Sequence, residues 1–522
     1  MSITSQDILW LIICSALVFF MQPGFACLES GLVRSKNSIN VAMKNIIDIC
    51  IAGLIFWSVG FGLMFGDSLF GVIGSSHFLF GAHYTAYQNS FFLFQFTFCA
   101  AIVTLISGAT AERMHLTGYM RITVVTALFI YPVTGHWIWA GGLTGESLGW
   151  LNQRGFIDFA GGTAVHSVGG WIALACIIII GPRHLRFNST TPPRGHNIPL
   201  ATLGTLILWF GWFGFNGGSL LSWSDAVPKV LVNTTLAAMA GGFVMLLVSL
   251  QFRKLVVPEL LLNGVLAGLV SITACCHAIN PLAAVIIGGI GSAVCFAVTN
   301  LLEHYKLDDA IGVIPVHLGP GIWGTIAVAL FGKSALLSTG LSFTEQLGMQ
   351  MLGIVSVAFW AFGVSYFVIK LINHYLPLRV NLTDEVNGLN ISEHDTSTEV
   401  IDLLIEMEYQ LSTGDYTQDI NVEPHTEAGQ IARQYNRIRQ DSQIKSEDIK
   451  KMASDANLAK IETEKINTEL ESKVNDLEKF NQISTERELT IIKLKQKIND
   501  LSVKNGNDEI YDLSFLSKFE KL

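Results

Sequence analysis

The chain has 522 residues, half of them hydrophobic, with 48 glycines and a positive mean hydropathy. Its formal net charge of −9 is uneven: residues 1–375 hold 15 Lys+Arg and 13 Asp+Glu, residues 376–522 hold 18 and 29. An apolar, Gly-rich body followed by an acidic tail, with the boundary near Pro377, argues for closely packed membrane helices and against a disulfide scaffold or metal protein: the eight cysteines all lie in apolar stretches, and no CxxC pair or Cys/His cluster has metal-ligand spacing.

The first apolar run lacks a basic leader and continues past Gln22–Pro23 toward Leu32, so it reads as a retained membrane helix rather than a signal peptide. Runs long enough to cross a bilayer recur at roughly 7–32, 44–66, 91–112, 119–140, 157–180, 198–218, 228–251, 258–277, 281–303, 311–331 and 346–372, eleven in all. With the N-terminus outside, the inner loops and helix ends carry twelve basic residues and the outer ones only Arg154, Lys229 and Lys333. That positive-inside bias places the tail in the cytoplasm of a multi-pass protein of the cell's inner (plasma) membrane and requires an odd helix count. Gly162-Thr-Ala-Val-His166-Ser-Val-Gly-Gly170 in the fifth span echoes Val313-Ile-Pro-Val-His317-Leu-Gly-Pro-Gly321 in the tenth. Two inverted five-helix repeats plus one further helix would bring His166 and His317 together near the bilayer midplane.

Past Pro377, residues 376–400 form a polar, acidic cytoplasmic segment, and 401–440 alternate helical and turn-like stretches. Thr426-Glu-Ala-Gly-Gln-Ile-Ala-Arg-Gln-Tyr-Asn-Arg-Ile438 resembles the second helix of a HAMP signal-relay module. Over 441–503, apolar residues at spacings of three and four (Leu470, Val474, Leu477; then Ile491, Leu494, Ile498, Leu501) give a coiled-coil pattern with a phase break around Ser484; the alternative is a long solvated helix. Residues 504–522 are a terminal tail without a catalytic signature.

Ionisable groups within spans are costly and default to functional candidates. Asp158 precedes His166 by eight residues, which puts the two about 12 Å apart along one helix face. Asp158 reads as a helix N-cap or as a fixed charge at a pore mouth, and both can hold. A pair of contacting imidazoles shares one proton, and so offers polar atoms without a fixed charge. Phe94, Phe98, Trp139 and the Phe210–Ser219 run, taken with the Ser219 hydroxyl, suit a cation–π vestibule.

Asp158-Phe-Ala-Gly-Gly-Thr-x-Val-His166, Gly211-Trp-Phe-Gly-Phe-Asn-x-Gly-Ser219, the Val-His317 element, Glu29-Ser-Gly-Leu-Val-Arg34 and Ala111-Glu-Arg113 together resemble the ammonium transporter (Amt/Rh) family over residues 1–375. Residues 378–394 look like that family's C-terminal segment. The resemblance implies a homotrimer with one pore per subunit. It further implies an external ammonium site at Trp139, Ser219 and Phe98 with Phe94 beside it, a Phe98/Phe215 gate, an ordering role for Asp158, and His166/His317 as the pore pair. Deprotonation of ammonium at the mouth and passage of ammonia are the expected function, with no cofactor, no nucleic-acid partner and no enzymatic activity. The long tail adds signalling, with a PII-type regulator or an output protein as the expected cytoplasmic partner; an ammonium receptor with little flux is the rival reading. Arg183, Arg186, Arg194, Arg253 and Lys254 are expected to meet Asp384, Glu385 and Glu393 where residues 378–394 dock.

Overall fold

A computed structural model describes residues 3–81, 83–189 and 192–516; the last six positions of the terminal tail lie outside the described residues. Two compact units are present, Met1–Asp402 and Leu403–Leu522.

The first unit is a bundle of eleven apolar helices among the described residues. They are α1 (Ser5–Leu32), α2 (Ser35–Phe65), α3 (Ala86–Thr110), α4 (Leu116–Trp139), α5 (Gly162–Ile180), α6 (Ile198–Gly218), α7 (Ala226–Arg253), α8 (Pro258–Thr273), α9 (Pro281–His304), α10 (Ile314–Phe331) and α11 (Phe343–Tyr375). All but α8 are long enough to span a bilayer unaided. At 16 residues α8 covers about 24 Å. Its last carbonyls are satisfied from the side: the N–H groups of Phe159 and Ala160 donate to Ala274 and Thr273 O at 3.1 Å each. A helix can stop short in the membrane only when its terminal groups are so partnered.

Four sequence-based boundaries are displaced by four residues or more, one being the start of α3, at Ala86 and not 91. α2 begins at Ser35, not 44; α8 ends at Thr273, not 277; and α5 begins at Gly162, not 157. Hydropathy measures apolar length, whereas helix ends follow backbone conformation, and residues 157–161, apolar apart from Asp158, are a loop. Small residues let the helices close together. Gly241 on α7 backs onto Gly264 and Gly268 on α8, where a Cβ would meet Gly264 O at 2.4 Å.

At one end of the bundle the helix termini converge on a charged cluster. Arg183 grips Asp308 with two parallel bonds, Nε to Oδ2 at 2.8 Å and an NH2 nitrogen to Oδ1 at 2.9 Å. Its other amino group lies 3.5 Å from Glu112, which also accepts from Arg34 Nε at 2.8 Å. Arg186 adds a bond to Asp308 at 3.2 Å and pairs with Glu303. Burial pushes the Asp308 and Glu112 carboxyls up, but Arg183 overrides it, so both stay below the usual carboxylate range.

Residues 378–394 dock on this face, as α12 (Leu382–Asn387) and α13 (Leu389–His394) plus the strand-like Leu378–Val380. The expected ion pairs are not the ones formed. Arg183 and Arg186 are occupied by Asp308, Glu112 and Glu303; Glu385 instead pairs with Arg379 at 2.7 Å, and Glu393 with His115 at 2.7 Å. The segment is held mainly by α2 and its leading turn. Leu389 N–H donates to Asn37 Oδ1 at 2.8 Å, Asn40 N–H to Asn390 Oδ1 at 3.0 Å, and Lys36 Nζ to Glu385 O at 2.9 Å.

In the second unit, residues 403–413 of α14 (Glu399–Thr413) pack beside the first turns of α15 (Glu427–Lys504). Leu403 shares a small core with Ala428 and Ala432, and Gln410 Oε1 accepts from Tyr435 at 3.0 Å, so the two helices run in the same direction. The connector lies along them, with Ile420 N–H donating to Asn436 Oδ1 at 3.0 Å. Beyond it α15 continues as one helix with an exposed row of Leu470, Val474, Leu477, Leu494, Ile498 and Leu501.

Arg183→Ala breaks the buried two-bond pair with Asp308 but leaves Asp308 with Arg186 and Glu112 with Arg34, so it should cost no more than about 3 kcal/mol of stability, read from thermal melting of the purified protein. Both carboxyls titrate lower in the folded than in the unfolded chain. Their contribution is therefore complete above about pH 4.5 and is lost as the pH falls through the range below 3.8. Arg183→Ala should show a smaller acid-dependent loss, because Arg34 and Arg113 still favour the two carboxylates.

Candidate functional site

Two helices begin inside the bundle rather than at its surface, and each begins in the same way. Asp158 folds its carboxylate back over the start of α5, accepting N–H bonds from Gly161 (3.2 Å), Thr163 (2.9 Å) and Ala164 (2.7 Å). Asp309 does the same at the start of α10, accepting from Gly312 (3.0 Å) and Ile314 (2.6 Å). Between acid and helix stands a glycine with positive φ, Gly161 at +107° and Gly312 at +87°, a conformation that side chains with a Cβ rarely adopt. Each helix opens with a π-helical turn, Gly162–Ser167 and Ile314–Leu318, and each of these turns carries the histidine eight positions after the acid.

The two elements meet at the histidines. His166 Nδ1 and His317 Nδ1 are 3.1 Å apart, with ring centroids at 5.1 Å. One ring must donate and the other accept, so the pair turns one acceptor and one donor nitrogen toward the lumen; the Nε2 of His166 has no partner. Small residues permit the approach: a Cβ on Gly321 of α10 would sit 2.5 Å from Gly162 O on α5. Trp212 stacks on His166 at 5.2 Å, with its Nε1 donating to Thr273 Oγ1 at 3.0 Å, and Phe215 stacks on the same ring at 5.3 Å.

Above the pair, Phe98 and Phe215 lie 4.2 Å apart, and both are fully buried. Phe94 meets Phe98 edge-on at 4.8 Å. Beyond them opens a cavity of about 340 Å³, lined by Phe94, Phe98, Trp139, Asp158 and Ser219. Trp139 is oriented by its Nε1, which donates to Asp158 O at 2.8 Å. The Ser219 hydroxyl donates to Phe215 O at 2.8 Å, so its proton is engaged and its oxygen presents lone pairs to the cavity. Three aromatic rings and a hydroxyl acceptor form a receptor for a small cation with N–H donors. Asp158 backs this cavity with its carboxyl oxygens bonded to backbone N–H groups, as in the N-cap reading.

Every predicted site residue thus falls on one line from the cavity through the Phe98/Phe215 stack to the histidine pair. Two neighbours were not picked out from sequence. Asp309 could have been found by starting the internal echo earlier, since Asp158-x-x-Gly161 and Asp309-x-x-Gly312 match in spacing to their histidines. Trp212 lay within the aromatic run, with nothing to separate it from core residues.

A membrane bundle with two inverted halves and a histidine pair beneath an aromatic stack is the architecture of a pore-type transporter. The profile of the Ammonium Transporter Family matches residues 9–399, and the chain belongs to that family. It is similar to a candidate ammonium transporter of Synechocystis sp. (46% identical, covering 83% of this chain and 82% of that one). It is also similar to the ammonium transporter Amt2 of Archaeoglobus fulgidus (38%, covering 74% and 87%). Among solved structures it resembles a sensor Amt protein, with a TM-score of 0.73, 40% identity and coverage of 74% of this chain and 98% of that one.

Asp158→Ala removes the acceptor of three buried N–H groups, and should cost about 3 kcal/mol or more at the start of α5. Because Trp139 is anchored on the same residue's backbone, ammonium binding at the outer cavity should be lost with transport, while Asp158→Glu should recover part of each. Calorimetric titration of ammonium into the purified variants checks this; an Asp158→Ala protein that binds ammonium normally would separate cap from site.

Proposed function

We propose that this ammonium transporter works by recruiting NH4+ at the cavity of Phe94, Phe98, Trp139 and Ser219, removing one proton there, and passing ammonia between the Phe98/Phe215 stack and the His166/His317 pair. The contact of the two imidazoles beneath a closed aromatic stack is the observation that carries this reading. A dry lumen of this kind rejects K+ and Na+, whose lost hydration nothing in it replaces. Ammonium differs from them in being an acid, and can shed its charge before the stack. Asp158 supplies the negative field that holds the cation, with its geometry fixed by the N-cap. The Arg-bearing face is cytoplasmic, the chain assembles as a homotrimer, and α14 with the start of α15 acts as a HAMP-like relay into a coiled coil.

His166→Ala or His317→Ala should reduce selective ammonium flux into proteoliposomes to background. Retention of wild-type flux and selectivity by either variant would refute proton sharing between the rings.

A second reading, ammonium sensing with little flux, is favoured by two observations: the similarity to a sensor Amt protein and the segment bonded to α2. Ammonium-evoked current on a supported membrane, measured with and without residues 401–522, tests the balance between the two. Cysteines at Leu470 and Ile491 should crosslink into trimers, to an extent that changes with ammonium; crosslinking indifferent to ammonium would mean a passive tail.

A further inference from the structure

Among the described residues three ionisable side chains line the outer cavity: Glu146, Asp158 and His277. Glu146 is exposed, and Asp158 is committed to the N–H groups at the start of α5. His277 is half-buried and uncommitted. It stands in the loop of residues 274–280 that joins α8 to α9, outside every motif that carries the family resemblance.

That loop is clamped along its length. Ala274 O accepts from Phe159 N–H at 3.1 Å, Cys276 O from Asn233 Nδ2 at 2.8 Å, His277 O from Lys229 Nζ at 3.1 Å and Ala278 O from Lys333 N–H at 2.9 Å. The imidazole itself stacks on Phe159, with centroids 4.2 Å apart. Phe159 follows Asp158, whose carbonyl holds Trp139, so the imidazole and the indole of the cavity are mounted on neighbouring residues. A ring held by its face can meet a ligand only with its edge, and here the edge is unsatisfied. Nδ1 is enclosed without a hydrogen-bond partner, and no described residue bonds Nε2, the nitrogen left open. Burial, and then the nearby Lys229, push the group down to about 4, so near pH 7 the ring is neutral and one of its nitrogens carries a lone pair. A rigidly mounted polar ring without a protein partner is costly unless a guest supplies the missing bond.

We propose that His277 is a further contact of the ammonium ion in the outer cavity, accepting one of its N–H bonds through Nε2. This deepens the transport reading and rests on its outer site. The ion has four N–H donors, Ser219 offers one oxygen, and the aromatic rings attract any small cation without accepting a directed bond. A second acceptor on a fixed mount rewards the cation that has donors, and gives an alkali ion of the same charge no hydrogen bond.

The test is calorimetric titration of ammonium chloride, against potassium chloride as control, into the purified full chain, with nitrogen NMR spectra of isotopically labelled histidine recorded on the same samples. His277→Ala should bind ammonium more weakly by about tenfold or more, and His277→Gln, which keeps an acceptor, should recover part of that loss. In the wild-type spectrum an imidazole nitrogen signal that is missing from His277→Gln should shift with ammonium and stay in place with potassium. An unchanged affinity in His277→Ala, or a His277 signal indifferent to ammonium, overturns the contact. The wild-type spectrum stands whether or not a variant folds, since a full set of imidazole signals unmoved by ammonium overturns it alone. Failure of the transport reading looks different, and takes this contact with it: a wild-type chain that binds no ammonium and passes none into proteoliposomes.

Discussion

The contact between His166 and His317, at 3.1 Å, is the interaction on which the rest of the bundle depends. Two imidazoles can meet in a membrane interior only if two helices deliver them there. Each helix then has to begin where no water is present to satisfy its first N–H groups. Asp158 and Asp309 solve that problem with side-chain oxygens, and Gly161 and Gly312 provide the turn that lets each acid reach. The π-helical opening turns and the small residues Gly162 and Gly321 follow from the same requirement, since the helices must cross closely enough for ring contact.

Capping with acids also shapes the field. A carboxylate whose oxygens are engaged by backbone N–H groups is stabilised as an anion and held rigidly, so it attracts a cation without closing on it. Asp158 therefore sits behind the outer cavity rather than in its centre, and the contacts there fall to Trp139, Phe98 and Ser219. The histidine pair carries the opposite design. It is polar but neutral, and it is packed against Trp212 and Phe215. A charged species thus has partners at the outer cavity and none in the stretch that follows. That difference is a physical basis for conducting ammonia and not alkali cations.

Much of this was legible in the sequence, and the gaps have causes. Eleven apolar runs gave the helices because membrane length is a composition property, but starts such as Gly162 were missed, since Ile157, Phe159 and Ala160 flank Asp158 with apolar residues like those of the helix that follows. Asp158 and His166 stood out by spacing, and Asp309 did not, because the echo was read only from Val313, past the Asp308–Asp309 pair. In the structure they part company: Asp308 binds Arg183, and Asp309 caps α10. The docking of residues 378–394 was expected from charge, but charge does not say which acid wins. Asp308 and Glu112 lie beside Arg183 and take it, and the segment binds through amides instead.

That outcome bears on how the pore and the segment communicate. Ion pairs at a wet surface tolerate sliding, whereas the bonds of Asn37, Asn40 and Lys36 to α12 and α13 are directional and short. They fasten the segment to α2, the helix that also carries Lys44, Asn45 and Asp48. Arg379 fastens it to a second helix, its guanidinium donating to Ile180 O at 2.8 Å while also holding Glu385 at 2.7 Å. Ile180 is the last residue of α5, fourteen positions and about 21 Å along from His166. A displacement of the histidine helix along its axis must therefore move Arg379 or break its bond, and Arg379 cannot move without Glu385 and the turn that Lys36 holds. The segment is wired to the helix of one pore histidine and to α2. A shift of either helix is the form of signal such a connection can carry.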